Sequence, residues 1–341
     1  MRYKLTNPIP SSSIILTCQP FPYRDQPIHL YDAYTSSVRA FYRPYNALDE
    51  VEAPTVATFT PDGQSIVAAG FRTDRTIHVF ATARPGRDST IWRLGKTRRS
   101  SDGQKGLVAA LAHHADSNLL AVGTYAPGSI YVYDHRAQQQ PTGTILNGLC
   151  VVGHGRSHTR KKRRFPSDTV EEDENWLSSA KIKWFLTRAQ GGVTQLQFSK
   201  EQPYILYSAS RRSDSVLSWD LRMLSGNPDH QSNPIRGLGS FATCSDSNQR
   251  IEFDMDSERL FVGGVDNCVR IYDIASGELK GKIEGLDDVC NGVSCNQEQL
   301  AVACGARRFP TENELDSDHI DQSDIPGCLR LYQMQTKKGE D

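Results

Sequence analysis

The sequence predicts an all-β protein, on three observations. First, apolar and β-branched runs alternate with turns rich in Gly, Pro and Asp over most of the 341 residues. Second, one unit recurs. Its clearest copy has an alternating strand (Thr55 to Phe59), the turn Pro61-Asp62-Gly63, an apolar strand (Ser65 to Ala69), a polar turn and a third strand (Thr76 to Ala81). Turn formers and strand formers stand where such a unit needs them. Third, the third strand closes on an aromatic residue, usually followed by Asp: Tyr31-Asp32, Phe80, Tyr133-Asp134, Trp219-Asp220, Tyr272-Asp273 and Tyr332. The gaps between these aromatics are 49, 53, 86, 53 and 60 residues. Units of roughly 40–45 residues that end in Trp-Asp or its equivalent predict a WD-repeat β-propeller of four-stranded blades. The loops here are longer than that norm, and the 86-residue gap holds an insertion.

Length alone would suggest two or three domains, but blades sharing one axis make residues 1–341 a single propeller. The net charge of −1 supplies no global field toward nucleic acid or membrane, so any such preference must come from local patches. The eight cysteines form no C-x-x-C pair, and Cys268, Cys304 and Cys328 fall inside apolar strands. They read as buried, reduced thiols of an intracellular protein rather than as disulfides or zinc ligands. No apolar run of about 18 residues and no signal-peptide pattern occurs, so a soluble protein without a membrane partner is expected.

Taken in order, residues 1–27 are an irregular, partial first blade. Ile14-Ile15-Leu16 suits a second strand, and Cys18 to Tyr23 reads as a proline-rich loop. No alternating first strand precedes it, so the chain is expected to start part-way round the ring, with about six blades. The inner strands are Thr55–Phe59, Val108–Ala112, Val193–Phe198, Ile251–Met255 and Gly292–Cys295. The second strands are Ser65–Ala69, Leu119–Gly123, Ile205–Ala209, Leu260–Gly264 and Leu300–Cys304. Small residues at or near their ends (Gly70, Gly123, Ser208, Gly264, Gly305) suit close backbone approach. Residues 155–190 are a charged insertion of disordered composition. Its basic run Arg160, Lys161, Lys162, Arg163 and Arg164 reads as a nuclear localisation signal, an RNA-phosphate tether or simply a solvated loop. Residues 313–326 are an acidic loop in the last blade.

Several stretches are more specific than a generic WD repeat: RAFYRPYNALDE (Arg39 to Glu50), FTPDG (Phe59 to Gly63), VFATARPGRD (Val79 to Asp88), SWDLR (Ser218 to Arg222), NQRIEFDMD (Asn248 to Asp256), CNGVS (Cys290 to Ser294) and RRFPTE (Arg307 to Glu312). In these the sequence resembles the telomerase Cajal body protein family, from about residue 24 onward, with the 155–190 insertion as the main departure. The resemblance implies a seven-bladed propeller that binds small guide-type RNAs and telomerase RNA through a short loop sequence, the Cajal body box. It also implies delivery of those RNAs to Cajal bodies, with a link to splicing-RNP biogenesis outside animals. The family carries a further blade and an acidic, proline-rich tail ahead of the position of Arg24; neither is in this sequence.

In a propeller, the loops between second and third strands and the segments linking blades project on one face. Here they carry Arg43, Tyr45, Asn46, Arg72, Arg75, Tyr125, Arg211, Arg212, Arg250, Arg307, Arg308 and Phe309. Arginine pairs phosphate and stacks on bases, aromatic rings offer platforms, and Asn reads base edges, so this composition suits single-stranded RNA. The same arginines suit ion pairs between blades, and Asn248 and Asn291 suit caps of blade turns. Arg84, Arg87 and Asp88, in a turn after a third strand, are expected on the opposite face or rim as a structural clasp or a partner surface. No G-x-S-x-G, P-loop or H-E-x-x-H motif appears, and His113-His114 reads as a polar turn. The sequence therefore points to an RNA-binding, non-enzymatic factor without cofactor, metal or small-molecule substrate. The resemblance implies as partners small non-coding RNA, RNP proteins, and telomerase components or splicing snRNPs. It also implies a nuclear location, at Cajal bodies or their equivalent, with room for a cytoplasmic pool. A protein scaffold in snRNP biogenesis, reaching RNA only through partners, is the alternative.

Overall fold

A computed structural model describes residues 14–17, 26–32, 35, 37–46, 48–72, 76–93, 106–114, 119–125, 130–134, 150–152, 192–213, 215–221, 241–243, 248–296, 298–305 and 327–334. These residues form antiparallel sheets whose strands pair in sequence order, with no α-helix among them. The first sheet holds β1 (Ile14–Thr17), β2 (Ile28–Asp32) and β3 (Val38–Tyr42). The second holds β4 (Val56–Phe59), β5 (Ser65–Ala69), β6 (Thr76–Ala81) and β7 (Thr90–Arg93); the third holds β8 (Val108–His113), β9 (Leu119–Thr124), β10 (Ile130–Asp134) and β11 (Cys150–Val152). The fourth is β12 (Val193–Phe198), β13 (Ile205–Ser210), β14 (Ser215–Asp220) and β15 (Phe241–Ala242); the fifth is β16 (Phe253–Met255), β17 (Arg259–Val262), β18 (Val269–Asp273) and β19 (Leu279–Ile283). The sixth is β20 (Cys290–Cys295), β21 (Gln299–Cys304) and β22 (Cys328–Gln333). This is the all-β WD-repeat propeller architecture, with six sheets among the described residues.

The predicted first, second and third strands are present within two residues or so of the expected ends. The outer strands β3, β7, β11, β15 and β19 had no specific prediction. Ile14–Thr17 pairs with β2, as a second strand should. The 155–190 insertion, the 313–326 loop and the Arg160–Arg164 run lie outside the described residues.

Strands of the middle sheets are buried on both faces, because each sheet packs between two neighbours. In the third sheet Leu111, Leu120, Val122, Tyr131 and Tyr133 meet the second sheet, while Ala110, Ala112, Ala121 and Ile130 meet the fourth. Successive residues of a strand point to opposite faces, so one face carries large side chains and the other mostly alanines. Trp219, Phe198 and Leu196 of the fourth sheet pack into that alanine face. Similar shared cores join the first sheet to the second, the fourth to the fifth and the fifth to the sixth.

Two further devices set the spacing. The first strands β8, β12 and β20 each carry a bulge near their start, which bends the strand and re-aims it locally. At the ends of second strands, neighbouring backbones come very close. Gly70 has φ +83°, and a Cβ there would sit 2.6 Å from Thr55 Cβ and collide with the Val108 carbonyl of the next sheet. A Cβ on Gly123 would lie 2.6 Å from Val193 Cγ1 of the next sheet. Where Ser208 replaces glycine, its hydroxyl accepts a buried hydrogen bond from Trp219 Nε1 at 2.8 Å. Polar groups stitch the inner strands as well. The Gln195 amide donates to Phe253 O (2.6 Å) and accepts from Phe253 N (3.0 Å), and Gln197 Nε2 donates to Asp254 Oδ1 at 2.8 Å. Buried Asp254 then accepts from Cys295 N at 2.8 Å, so three consecutive sheets share one hydrogen-bonded run.

Gly70→Ala should lower the free energy of unfolding by about 2 kcal/mol or more, since an L-residue in the left-handed region costs about 1–2 kcal/mol before the clash is added. A lower urea midpoint at unchanged slope is the expected readout; an unchanged midpoint would contradict the close approach.

Candidate nucleic-acid interface

On one face, main-chain bonds tie the second-strand ends of the third, fourth and sixth sheets to the segments that enter their own first strands, and tie the fifth sheet to the sixth. Tyr125 N donates to Leu107 O at 2.8 Å, and Arg211 N to Gly192 O at 2.9 Å. Gly192 abuts the Tyr125 backbone so closely that a Cβ on it would lie 2.7 Å from Tyr125 Cα. Further round, Glu252 N donates to Asn291 O (3.1 Å), Cys290 N to Gly264 O (3.0 Å) and Gly305 N to Val289 O (2.9 Å). The residues on this face are therefore held on a rigid rim rather than on free loops.

At its centre Arg211 spans three sheets. Its Cζ lies 5.0 Å from the centroid of the Tyr125 ring, and its Nη1 donates to Asn248 O at 2.9 Å. Tyr125 remains 45% exposed, so the guanidinium orients the ring without covering it. A cation over an aromatic face contributes about 0.5–1 kcal/mol at an exposed site. Arg212 follows in a left-handed turn (φ 54°) and points into solvent, with no side-chain partner among the described residues. Arg250 is half-buried; its Nε lies 3.1 Å from Glu252 Oε1 but makes no aligned hydrogen bond, so the two attract by charge alone. Arg72 is exposed on the same side, and its main-chain N–H donates to the Glu52 carboxylate.

The structure separates another group of predicted residues from this face. Arg43, Tyr45 and Asn46 were expected there as part of a blade-linking loop. Instead Arg43 N donates to Gly86 O at 2.8 Å, and the Tyr42 hydroxyl donates to Thr82 O at 2.6 Å. This puts the start of the segment at the β6–β7 turn, the opposite end of β6 from Arg72. Residues 44–52 then double back as a hairpin, Glu52 N donating to Pro44 O at 3.0 Å. Tyr45 lies under Arg87, whose Cζ is 4.5 Å from the ring centroid. Asn46 is spent on a turn, its Oδ1 accepting from Leu48 N (2.9 Å) and Glu50 N (3.0 Å). The predicted clasp is also rearranged: Arg87 pairs with Asp49 rather than with Asp88, while Arg84 and Asp88 stand exposed. Arg75, Arg307, Arg308 and Phe309 lie outside the described residues. Asn291 is a cap, its Nδ2 donating to Gly305 O at 2.7 Å. His114 is a turn residue, but a buried one, with its ring edge-on to Phe198 at 5.1 Å.

Arg270 adds a further cation to this rim. It occupies an inward position of β18, is 5% exposed, and forks onto Asp266: Nη1 donates to Oδ1 at 3.0 Å and Nη2 to Oδ2. The signal was available as an Asp four residues before an Arg in VDNCVRIYD, but an Arg within an alternating strand reads as solvent-facing. The pair rigidifies the β17–β18 loop on the same rim. The Arg270 guanidinium holds the Asp266 carboxyl well below its ordinary 3.8, at about 2.

Comparison with family models finds no match. Among curated proteins, the chain is similar to telomerase Cajal body protein 1 of Bos taurus, 30% identical over 314 residues, which is 89% of this chain and 47% of that protein. The Homo sapiens protein of the same name is 30% identical over 302 residues, 85% of this chain and 44% of its own length. The Drosophila melanogaster homologue is 26% identical over 301 residues, 86% of this chain and 44% of that protein. The chain thus spans somewhat under half the length of the relatives it matches. Among solved structures, the computationally designed Ika8 protein aligns at a TM-score of 0.45 and 16% identity over 86% of this chain and 66% of its own.

Because Asp266 is depressed in the folded chain, its pair with Arg270 contributes fully above the unfolded carboxyl value of 3.8 and is lost as pH falls toward 2. Asp266→Asn should lower the melting temperature at pH 6 and narrow the difference from the unaltered chain as pH falls below 4. Parallel melting curves across that range would contradict the pairing.

Proposed function

This chain is a homologue of the telomerase Cajal body proteins, and we propose that it binds small non-coding RNA through the face that carries Tyr125, Arg211 and Arg212. The RNAs are of the Cajal-body guide and telomerase type. The role is assembly and localisation of their RNPs in the nucleus, at Cajal bodies or their equivalent, and through telomerase RNA the maintenance of telomeres. RNP proteins, telomerase components or splicing snRNPs are its protein partners. The names of the relatives support the cellular role, and the geometry supports direct RNA contact.

The observation that carries the reading is the Tyr125–Arg211–Arg212 arrangement. A half-exposed ring is oriented by a guanidinium that is itself tied to the main chain of a third sheet, and a free cation stands next to it. Single-stranded RNA needs these parts: an aromatic platform for a base and a positive charge for the adjoining phosphate. Fixing them on strand ends that are hydrogen-bonded within each sheet and packed against the next lowers the ordering cost of binding. Arg72 extends the positive side of the rim. A net charge of −1 is compatible with this, because recognition is local.

The test is RNA crosslinking and sequencing with the tagged, whole protein, next to an Arg211→Glu/Arg212→Glu variant, followed by titration with an enriched RNA. Box-type guide RNAs or telomerase RNA should be enriched and lost in the variant. Tyr125→Ala should weaken binding by about 5- to 150-fold, the equivalent of about 1–3 kcal/mol for one stacked base. Arg212→Ala should flatten the salt dependence by about 0.7 in log–log slope. If intact RNPs co-purify but no RNA crosslinks to this face, the protein is a scaffold and Arg211 serves only to tie sheets together.

A further inference from the structure

The seam between the first and second sheets holds a second surface, away from the Tyr125–Arg211 face. Here β3 ends against the β6–β7 turn. Arg43 N donates to Gly86 O and Gly86 N donates to Phe41 O, each at 2.8 Å. The buried Tyr42 hydroxyl reaches Thr82 O at 2.6 Å, and Arg87 bridges to Asp49 and covers Tyr45. These contacts hold the two segments rigidly side by side and use up Arg87. They leave Arg43 and Arg84 exposed, and neither guanidinium has a hydrogen-bond or ionic partner among the described residues. Since Arg43 bonds Gly86 directly and Arg84 is two residues from Gly86, the two free cations project from one short stretch of seam. Beside them Phe41 is 44% exposed.

We propose that this seam docks an extended acidic segment of a partner protein, with carboxylates on Arg43 and Arg84 and an apolar side chain on Phe41. Arginine forks match carboxylates in paired, charge-assisted hydrogen bonds. Desolvated arginine next to an exposed aromatic ring is the composition of binding hot spots. The occupant is a peptide rather than RNA because Glu50 and Asp88 stand exposed at the same seam, in addition to the Asp49 carboxylate that Arg87 already pairs. A nucleic acid brings a phosphate at every nucleotide and would meet those carboxylates. A peptide can place its charges opposite the two arginines alone.

Fluorescence anisotropy tests the proposal, with the whole chain and a labelled Gly/Ser peptide that carries one Asp and one Glu on either side of a central Phe. Two further probes are the same peptide with Asn and Gln for the acids, and an oligouridine. The acidic peptide should bind in a salt-sensitive manner and lose about tenfold or more in affinity toward an Arg43→Glu/Arg84→Glu variant, in keeping with charge-assisted bonds. The amide peptide should show the same loss against the unaltered chain, which keeps the test valid if the double variant folds poorly. Arg212→Glu should leave peptide binding unchanged. Three results would each overturn the proposal: no binding of the acidic peptide, equal binding of acidic and amide peptides, or oligouridine binding that the Arg43→Glu/Arg84→Glu variant abolishes.

Discussion

The structure depends on a single packing constraint: each middle sheet must bury both faces against neighbours that approach to backbone contact at the second-strand ends. Nearly all else follows from that geometry. The third sheet carries large residues on one face and mostly alanines on the other, so that Trp219 and Phe198 fill the space left by Ala110, Ala112 and Ala121. Gly70 and Gly123 stand where a Cβ would push the next sheet away. The apolar interior provides the bulk of the stability, but it is non-directional. Angular placement comes from groups that can bond at only one register: the Gln195 amide on the Phe253 main chain, and Asp254 between Gln197 and Cys295.

The rim inherits its rigidity from the same close approach. Tyr125 sits where the third sheet touches Gly192 of the fourth, and the Arg211 main-chain N–H donates to the carbonyl of that glycine. A side chain rooted there can reach a ring on one side and the Asn248 carbonyl on the other, so one arginine spans three sheets. This also explains how one residue can have both a structural and a recognition role. Arg211 is held by the fold, and what it holds in turn is the exposed ring.

Legibility differed between parts of the chain for physical reasons. First, second and third strands were readable because burial on one or both faces forces apolar periodicity, and because their turns need Gly, Pro and Asp. The outer strands were not. Leu279–Ile283 alternates between exposed and half-buried, and Phe241–Ala242 is two residues long, so neither leaves a pattern. The membership of the candidate face was readable for Tyr125, Arg211, Arg212 and Arg250, because each lies next to a strand whose direction was clear. It was not readable for Tyr45 and Arg87. These lie on segments expected at opposite ends of a blade, and a parallel bridge between Tyr42 and Gly86 joins them. Arg270 escaped notice because only its fork onto Asp266 makes an arginine tolerable at a 5% exposed strand position.

By itself, the sequence determined the all-β class, the repeat, the order of the inner strands and the presence of a cationic, aromatic set of loop residues. These are local properties: period-two burial and turn chemistry are written within a few residues of one another. Tertiary structure alone decided which arginines are spent and which are free. Arg87 is spent on Asp49 and Tyr45, Arg270 on Asp266, and Arg211 on Tyr125 and Asn248, whereas Arg43, Arg84 and Arg212 are exposed and without a side-chain partner among the described residues. An ion pair or a cation–π contact is made across space between residues as much as 86 positions apart, and its sign in the energy balance depends on burial and neighbours rather than on residue type.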